Sequence, residues 1–286
     1  MAFSRLRILF PVGTLLLGGT TGTIAATEIA GRLLIELDAA DFVQGGAHWP
    51  QHSAETGIPG PFISHGSPHL QTVGGAAAVV FDGDGDYFTG PNTSTELHAP
   101  GAIHSVEAWV FQGNIRDQES VVSWSHRGGP DGSFAGFRYG ADPEFGAVAR
   151  WGMPDSGFQN LPTPGRWHHI VSTYDGATEC IYVDGTLDGT KKVGALDAHN
   201  GLPIHLGAEL RADRSLEGNF THFSGALGRL RVHSGVLSPA MVRSNHLREG
   251  PGFPGLNARP LRRPPLHRFT FNPAPGPAPD GTVIPD

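Results

Sequence analysis

The sequence contains a single cysteine, Cys180, among its 286 residues. An intramolecular disulfide is therefore impossible, and the fold has to be held by its hydrophobic core, which a chain of this length can build. Cys180 falls in a predicted strand. We expect it to act there as a small buried apolar residue rather than as a reactive thiol.

Charged residues and long apolar runs are also scarce. Charged residues make up 16% of the chain, and 27 Asp and Glu against 20 Lys and Arg leave a net charge of −7. This balance argues against nucleic acid as a partner, because nucleic-acid binding requires a basic surface. Beyond the N-terminal segment, no run approaches the ~20 apolar residues of a membrane-spanning helix.

Glycine and proline, in contrast, are abundant, with 41 and 24 residues. Runs rich in aromatic and β-branched residues alternate with glycine-containing turns at intervals of roughly 8–12 residues, a spacing typical of sandwiches and barrels. One helix is predicted over residues 240–248, since Ser238 is a suitable N-cap, Pro239 suits the first helical position and Gly250 follows. The sequence thus predicts an all-β fold with one short C-terminal helix.

The first 26 residues have the organisation of a secretory signal peptide. Arg5 and Arg7 precede an apolar run over residues 8–17, and small residues at Thr23 and Ala25 form a cleavage pattern. The apolar run is too short for a membrane span, although an uncleaved anchor is the alternative interpretation. We therefore expect a secreted or cell-surface protein.

Residues 165–185, with the sequence GRWHHIVSTYDGATECIYVDG, predict the central hairpin. The strand over residues 167–174 ends at Asp175–Gly176, a turn dipeptide, and the return strand over residues 179–183 ends at Asp184–Gly185. His168 and His169 are adjacent on a strand, so their side chains face opposite sides of the sheet and cannot both bind one ligand. A structural role is expected for each.

This hairpin resembles the central hairpin of LamG-like jellyroll domains in the concanavalin A-like lectin/glucanase superfamily. Further motifs resemble the same family: F-D-G-x-x-D-Y at 81–87, S-x-E-A-W-V at 105–110, I-x-L-G at 204–207, the strand at 223–233 and L-S-P-A-M-V at 237–242. The resemblance implies a two-sheet antiparallel jellyroll sandwich that binds carbohydrates or proteins, often with calcium at its rim. Gly228 and Arg229 stand where many relatives carry an acidic residue, which weakens the implied calcium site.

Three aspartates alternate with glycines at Asp82, Asp84 and Asp86. Calcium prefers carboxylate and carbonyl oxygens, so these side chains, with Asp213 in a later polar loop, are candidate calcium ligands. The spacing fails as an EF-hand loop, because Tyr87 replaces the required glycine and no glutamate occupies the twelfth position. The alternative interpretation is a β-turn in which the aspartates cap backbone N–H groups.

We divide the chain into a signal peptide (1–26), a jellyroll domain (27–250), a Pro/Gly/Arg-rich linker (251–265) and a possible start of a truncated second LamG-like domain (266–286). The last segment contains the strand-like run L-H-R-F-T-F-N at 266–272. A natural tail that pairs with the first domain is the alternative.

Function is predicted as non-catalytic binding of a glycan or an extracellular protein, in adhesion or recognition. Exposed aromatic residues in a groove would carry such binding, and Trp49, Trp124 and Trp151 are candidates, with core packing as the alternative for each. The alternative functions are those of a glycoside hydrolase and of a structural spacer. Hydrolysis requires paired carboxylates, and the E-x-D-x-x-E run of the glucanases is absent. Glu107 alternates with Val106 and Ala108, so we expect its side chain on the opposite face, in solvent.

Overall fold

The computed structural model describes residues 26–53, 57–198 and 201–254. The predicted signal peptide, apart from Ala26, and the predicted second domain lie outside these residues and stay predictions. The strands are β1 Leu33–Asp38, β2 His48–Trp49, β3 Phe62–His65, β4 His69–Val73, β5 Ala76–Val80, β6 Tyr87–Asn92, β7 His104–Phe111, β8 Ser120–Ser125, β9 Phe134–Arg138, β10 Val148–Ala149, β11 Trp167–Tyr174, β12 Thr178–Val183, β13 Thr186–Lys192, β14 Pro203–Leu206 and β15 Ala226–His233.

The helices are few and short. They are α1 Thr95–His98, α2 Pro239–Glu249 and the 3-10 turns Ala39–Asp41, Asn219–Thr221 and Gly250–Gly252. The helix α2 confirms the prediction from the sequence, including its cap, because the Ser238 hydroxyl accepts a hydrogen bond from the Met241 backbone N–H. No helix in the described ranges combines the length and the apolar character needed to cross a bilayer.

Two antiparallel sheets pack face to face and confirm the predicted jellyroll sandwich. The first sheet has the order β13-β12-β11-β7-β15-β5-β4, with β1 also paired to β15. The second sheet has the order β10-β9-β8-β14-β6-β3-β2. The predicted hairpin forms β11 and β12, which pair from Ile170–Val183 to Tyr174–Glu179.

The core fills the space between the two sheets. Alternate residues of β7, including Val106 and Ala108, pack there against aromatic residues of the second sheet. The largest core side chains from the second sheet are Trp49, Phe62, Phe88 and Trp124. Cys180 is partly buried and packs with Val171 and Tyr182 on the opposite face of the first sheet.

That opposite face of the first sheet is covered by α2 and the residues after it. Val242, Asn245 and Glu249 form the buried side of the helix. At the other end of the chain, the Glu28 backbone N–H donates to the Asn245 side chain at 2.8 Å. The central strands β7 and β11 of the first sheet are therefore buried on both faces, whereas the edge strands β13 and β4 are largely exposed.

Candidate functional site

A pocket of about 400 Å³ opens beside β9 and β10, at one edge of the second sheet. The side chains that determine its chemistry are Gln118, Arg127, Phe134, Arg150, Trp151 and Asp155. They come from the loop before β8, the loop after it, β9 and the segment after β10. We call this the Trp151 pocket.

The alternation of β9 builds the floor of the Trp151 pocket. Ala135 and Phe137 point into the core, which leaves Phe134, Gly136 and Arg138 on the outer face. Gly136 is required by the packing there, because an added Cβ would lie 2.8 Å from the Phe134 ring. The glycine therefore leaves room for the phenylalanine ring beside the strand.

The charge of Arg138 is neutralised by a carboxylate beneath the floor of the Trp151 pocket. Its guanidinium donates two hydrogen bonds to Glu209, from Nε at 2.6 Å and from Nη2 at 2.7 Å. Both side chains are almost fully buried. A bidentate pair of this kind is rigid, so it supports the pocket but offers little free charge to a ligand.

Trp151 stands at the rim and is 39% exposed. Its backbone carbonyl accepts a hydrogen bond from the Gly132 N–H at 2.6 Å, which ties the segment after β10 to the loop before β9. Gly152 has φ +64°, and an added Cβ there would lie 2.0 Å from Asp131 Oδ1. The two loops thus pack closely and hold an exposed indole ring beside the pocket.

Three polar atoms of lining residues are buried and have no hydrogen-bond partner among the described residues: Arg127 Nη1, Arg150 Nε and Gln118 Oε1. Arg127 Nη1 lies 3.7 Å from carboxylate oxygens of both Glu209 and Glu217, beyond hydrogen-bond distance. Buried polar groups are normally hydrogen-bonded. Two donors and one acceptor therefore remain for a ligand or water.

Asp155 is the carboxylate on the pocket wall. Burial raises the pKa of Asp155, and the hydrogen bond from the Arg150 backbone N–H acts in the opposite direction. The neighbouring Glu179 is tied to Arg150 at 3.1 Å. A hydrolytic site would require two free carboxylates that face each other across the bond, and the lining residues do not supply that pair.

The predicted aromatic binding residues are found in different environments. Trp49 is fully buried, packs on Phe42 and Phe88 and donates from Nε1 to the Asp38 carbonyl. Trp124 is also buried and packs edge-on against His104. These two tryptophans have the core role that the sequence left open as the alternative. Of the three, Trp151 is the one that is exposed and lines the Trp151 pocket.

The predicted calcium ligands lie in a turn. Asp82 Oδ1 accepts hydrogen bonds from the backbone N–H groups of Asp84 and Asp86 at 2.7 and 3.2 Å. The Asp86 carboxylate accepts from the Ser67 and Asp82 backbones. This is the turn-capping role that was the alternative interpretation.

Asp213 lies in another loop, where its carboxylate accepts hydrogen bonds from Ser215. Within the described ranges no group of three or more His, Cys, Asp or Glu side chains is arranged to hold a metal ion. Calcium binding stays a prediction from the sequence, without a coordinating cluster to support it.

The prediction for Glu107 was correct in the direction of the side chain and wrong in its exposure. Its side chain does point away from Val106 and Ala108, but it is 2% exposed rather than solvated, because α2 covers this face of the sheet. Arg231 Nη1 donates to it at 2.6 Å, and Nε2 of His169 and Nε2 of His233 lie at 3.1 and 3.2 Å. Glu107 is therefore the centre of a buried ion-pair network.

The two adjacent histidines lie on opposite faces, as predicted. His169 contacts Glu107 under α2, whereas His168 contacts Asp184 Oδ2 at 2.8 Å and the Thr163 carbonyl at 2.9 Å. Burial favours a raised pKa for Asp184, but the hydrogen bond and charge of His168 outweigh it and lower the pKa. Both histidines have structural partners.

Comparison with known proteins agrees with this architecture. Structures of similar fold include domain 4 of AbnA, a GH43 extracellular arabinanase from Geobacillus stearothermophilus, in complex with arabinotriose (TM-score 0.54, 14% identity, 77% of this chain and 100% of that one). Trypanosoma rangeli sialidase in complex with sialic acid gives TM-score 0.53 at 16% identity, over 79% of this chain. The binding domain of Paraclostridial Mosquitocidal Protein 1 gives TM-score 0.50 at 13% identity, over 75% of this chain.

This chain spans 34% of the sialidase and 52% of the toxin domain. At these identities the likeness shows the fold alone. No curated protein sequence matches the chain significantly. The sequence profile of the Laminin_G_3 family, described as concanavalin A-like lectin/glucanases superfamily, matches residues 82–243. Because the match covers more than half of the sequence, the chain belongs to this family of concanavalin A-like domains.

Proposed function

We propose that this domain is an extracellular, non-catalytic module that binds carbohydrate in the Trp151 pocket. The observation that carries the proposal is the exposed indole ring beside a pocket of about 400 Å³ whose wall has buried, unpartnered hydrogen-bonding atoms. A sugar ring has an apolar face that stacks on an indole and hydroxyl groups that both donate and accept hydrogen bonds.

Each unpartnered atom has a matching group on a sugar. Arg127 Nη1 and Arg150 Nε would donate to hydroxyl oxygens, and Gln118 Oε1 would accept from a hydroxyl. The arginine charges around the pocket are balanced by Glu179, Glu209 and Glu217. This balance favours a neutral sugar over an acidic one.

The comparisons support the proposal at the level of the fold. The arabinanase domain was solved with arabinotriose, and the sialidase with sialic acid. The mosquitocidal protein contributes a binding domain. Domains of this shape therefore occur in carbohydrate-active proteins and in binding proteins. Laminin G-like domains are typically extracellular, which agrees with the signal peptide expected from the sequence.

An enzyme is the competing function, and the carboxylates argue against it. Asp155 faces the pocket, but Glu209 gives both of its oxygens to Arg138. Glycoside hydrolysis generally requires a general acid and a second carboxylate about 5–10 Å apart. We therefore assign recognition rather than hydrolysis to the Trp151 pocket, with protein binding as the other form of recognition to be tested.

A panel of immobilised neutral and acidic oligosaccharides, probed with the full chain, tests the proposal. We expect binding to a neutral glycan, and we expect Trp151→Ala to weaken it by tenfold or more, since stacked aromatic anchors typically contribute over about 1.4 kcal/mol. Phe220→Ala is the matched control, because Phe220 is a similarly exposed aromatic residue in another loop.

Equal losses in both variants, or no glycan bound at all, would count against the proposal. Release of reducing sugar from the bound glycan would favour the hydrolase instead. Unchanged affinity of the Trp151→Ala variant would mean that the glycan binds at another site.

A further inference from the structure

A second, smaller pocket lies on the other side of the segment that follows β10. Its volume is about 180 Å³, and its polar wall is formed by Ser156, Gln159, Glu179, Thr190 and Lys191 beside Gly189. Residues 150–153 and Asp155 face the Trp151 pocket, whereas Ser156 and Gln159 face this one. The two pockets therefore share one segment as a wall but are separate.

Two buried polar atoms in the wall of this second pocket have no partner among the described residues. Glu179 is 1% exposed, and its Oε2 accepts no hydrogen bond. Ser156 is 6% exposed, and its hydroxyl is likewise unpartnered. An unsatisfied carboxylate oxygen in a protein interior is unfavourable, so such a group indicates a bound molecule that donates to it.

The other oxygen of Glu179 is fully used. Glu179 Oε1 accepts from Arg150 Nη2 at 3.1 Å and from the Ser172 hydroxyl at 2.8 Å. The position of the carboxylate is fixed by these bonds, so its free oxygen is held in place within the pocket wall. Glu179 is therefore a preorganised hydrogen-bond acceptor in the pocket wall rather than a flexible surface group.

The local charge selects against a cationic ligand. Arg150 already neutralises Glu179, and Lys191 is the direct cross-strand neighbour of Glu179. Lys191 Nζ donates to the Asp155 carbonyl, which keeps its positive charge close to the pocket. The carboxylate of Asp155 also interacts with both Arg150 and Lys191, so two cations face two carboxylates. The wall therefore has no net negative charge to hold an amine, whereas an uncharged hydroxyl group can donate to Glu179.

We propose that this pocket binds a small neutral polyol, such as a free monosaccharide or a sugar alcohol, through Glu179 and Ser156. Its volume of about 180 Å³ is enough for one such molecule. The ligand donates one hydroxyl to Glu179 Oε2 and exchanges a hydrogen bond with the Ser156 hydroxyl group. This site does not depend on the Trp151 pocket.

Amide chemical shifts of the isotope-labelled full chain, titrated with xylitol, test the proposal. We expect saturable shifts at residues 156–157 and 189–191, with half-saturation in the millimolar range that a ligand of this size reaches. Ser156→Ala should weaken binding several-fold. Gly189→Val should abolish it, because Gly189 lines the pocket and the added side chain would fill it. Gly189 has no positive φ, and an added Cβ would reach only the Gln159 side chain, at 3.4 Å.

Trp151→Ala separates this proposal from the previous one. Xylitol binding that survives Trp151→Ala but not Gly189→Val supports the second pocket, whatever the glycan panel shows. Absence of saturable shifts at these residues up to 100 mM xylitol would overturn the proposal. So would unchanged binding to a folded Gly189→Val variant, or shifts that vanish with Trp151→Ala.

Discussion

Glu107 is a buried carboxylate that contacts four other side chains. Arg231, His169, His233 and Asn245 all contact it under α2. Burial alone favours a raised pKa for Glu107, but the hydrogen bonds from His169 and His233 and the charge of Arg231 outweigh it and lower the pKa well below its usual value. The carboxylate is therefore charged in the folded protein and compensated on every side.

Replacing Glu107 by alanine should destabilise the protein by about 3–5 kcal/mol, because Arg231 would be left as a buried charge with fewer partners. Chemical denaturation measures this loss. Glu96→Ala is the matched control, since Glu96 pairs with Arg32 at the surface and should contribute no more than about 1 kcal/mol. Equal effects of the two substitutions would contradict the structural role of Glu107.

His104 links stability to pH. Its pKa is lowered to about 3, first by burial and then by the charge of Arg150. In the unfolded chain the pKa returns to about 6.5, so between pH 6.5 and 3 the unfolded state binds a proton that the folded state does not. Stability must therefore fall as the pH falls through this window. His205, whose pKa burial lowers to about 4, acts in the same direction.

His104→Phe should reduce that pH dependence. The ring contacts with Trp124 and Tyr174 can be kept, but one titrating group is lost. The slope of the unfolding free energy between pH 6 and 4 should drop by up to about 1.4 kcal/mol per pH unit. An unchanged slope in His104→Phe would contradict the assignment.

Side-chain direction in the strands could be predicted from the sequence, but burial could not. Alternation correctly placed Glu107 opposite Val106 and opposed His168 to His169, because these are local properties of a strand. The helix that buries Glu107 lies more than 130 residues later in the chain, as the contact with Asn245 shows. Nothing in the sequence near Glu107 indicates that partner.

Among the elements, the central hairpin was the most predictable. Its turn residues and its aromatic and β-branched strands act locally, and the structure forms β11 at Trp167–Tyr174 and β12 at Thr178–Val183. The strands β3 and β4 were missed in the sequence. Their burial does not alternate regularly, so the sequence offers no period of two there.

The helix α2 was predicted from its cap and its proline rather than from an apolar stripe. Its buried side includes the polar Asn245 and Glu249, which pair with the network of the first sheet. Amphipathic patterning therefore marks this helix weakly, although it covers the centre of the outer face of the first sheet. Its start depends on the hydrogen bond between the Ser238 hydroxyl and the Met241 N–H.

Ser238→Ala should cost about 1 kcal/mol of stability through loss of this N-cap. Thermal or chemical denaturation measures the change. Arg243→Ala, at an exposed position in the middle of the same helix, should alter stability by less than about 0.5 kcal/mol. If Ser238→Ala lowers stability no more than Arg243→Ala does, packing alone positions the helix.

At the scale of the whole molecule, the packed part of the domain continues beyond residue 250. Phe253 stacks on Trp109, with ring centroids 4.5 Å apart, and lies 5.1 Å from Trp167. Gly228, at the bulge in β15, makes room for it, because an added Cβ would lie 2.4 Å from the Phe253 ring. The glycine that departs from the family pattern thus has a packing reason.

Phe253→Ala should therefore destabilise the domain by roughly 2 kcal/mol, less than the 3–5 kcal/mol of a fully buried phenylalanine. Unfolding of the full-length variant measures this change, with Phe220→Ala as the exposed control. A loss below about 0.5 kcal/mol would mean that the stack is not stabilising, and that the domain ends at residue 250 as the sequence predicted.

The family motifs predicted the jellyroll fold, because they lie in separate strands, in the turn before β6 and at the start of α2. The Trp151 pocket could not be predicted from the sequence, because no single motif contains its residues. Trp151 was one candidate among three, and its neighbours Arg127, Phe134 and Arg150 come from separate loops and strands. Alternation in β9 could have placed Phe134 and Arg138 on one face, but the pairing of β9 with β10 brings Arg150 and Trp151 beside them.

A crystal structure of the protein with the tightest glycan from the panel would test the central claim most directly. We predict a sugar ring stacked on the Trp151 indole, with hydroxyl groups within hydrogen-bond distance of Arg127 Nη1, Arg150 Nε and Gln118 Oε1. A glycan bound on another surface, with the Trp151 pocket filled only by water, would contradict the account.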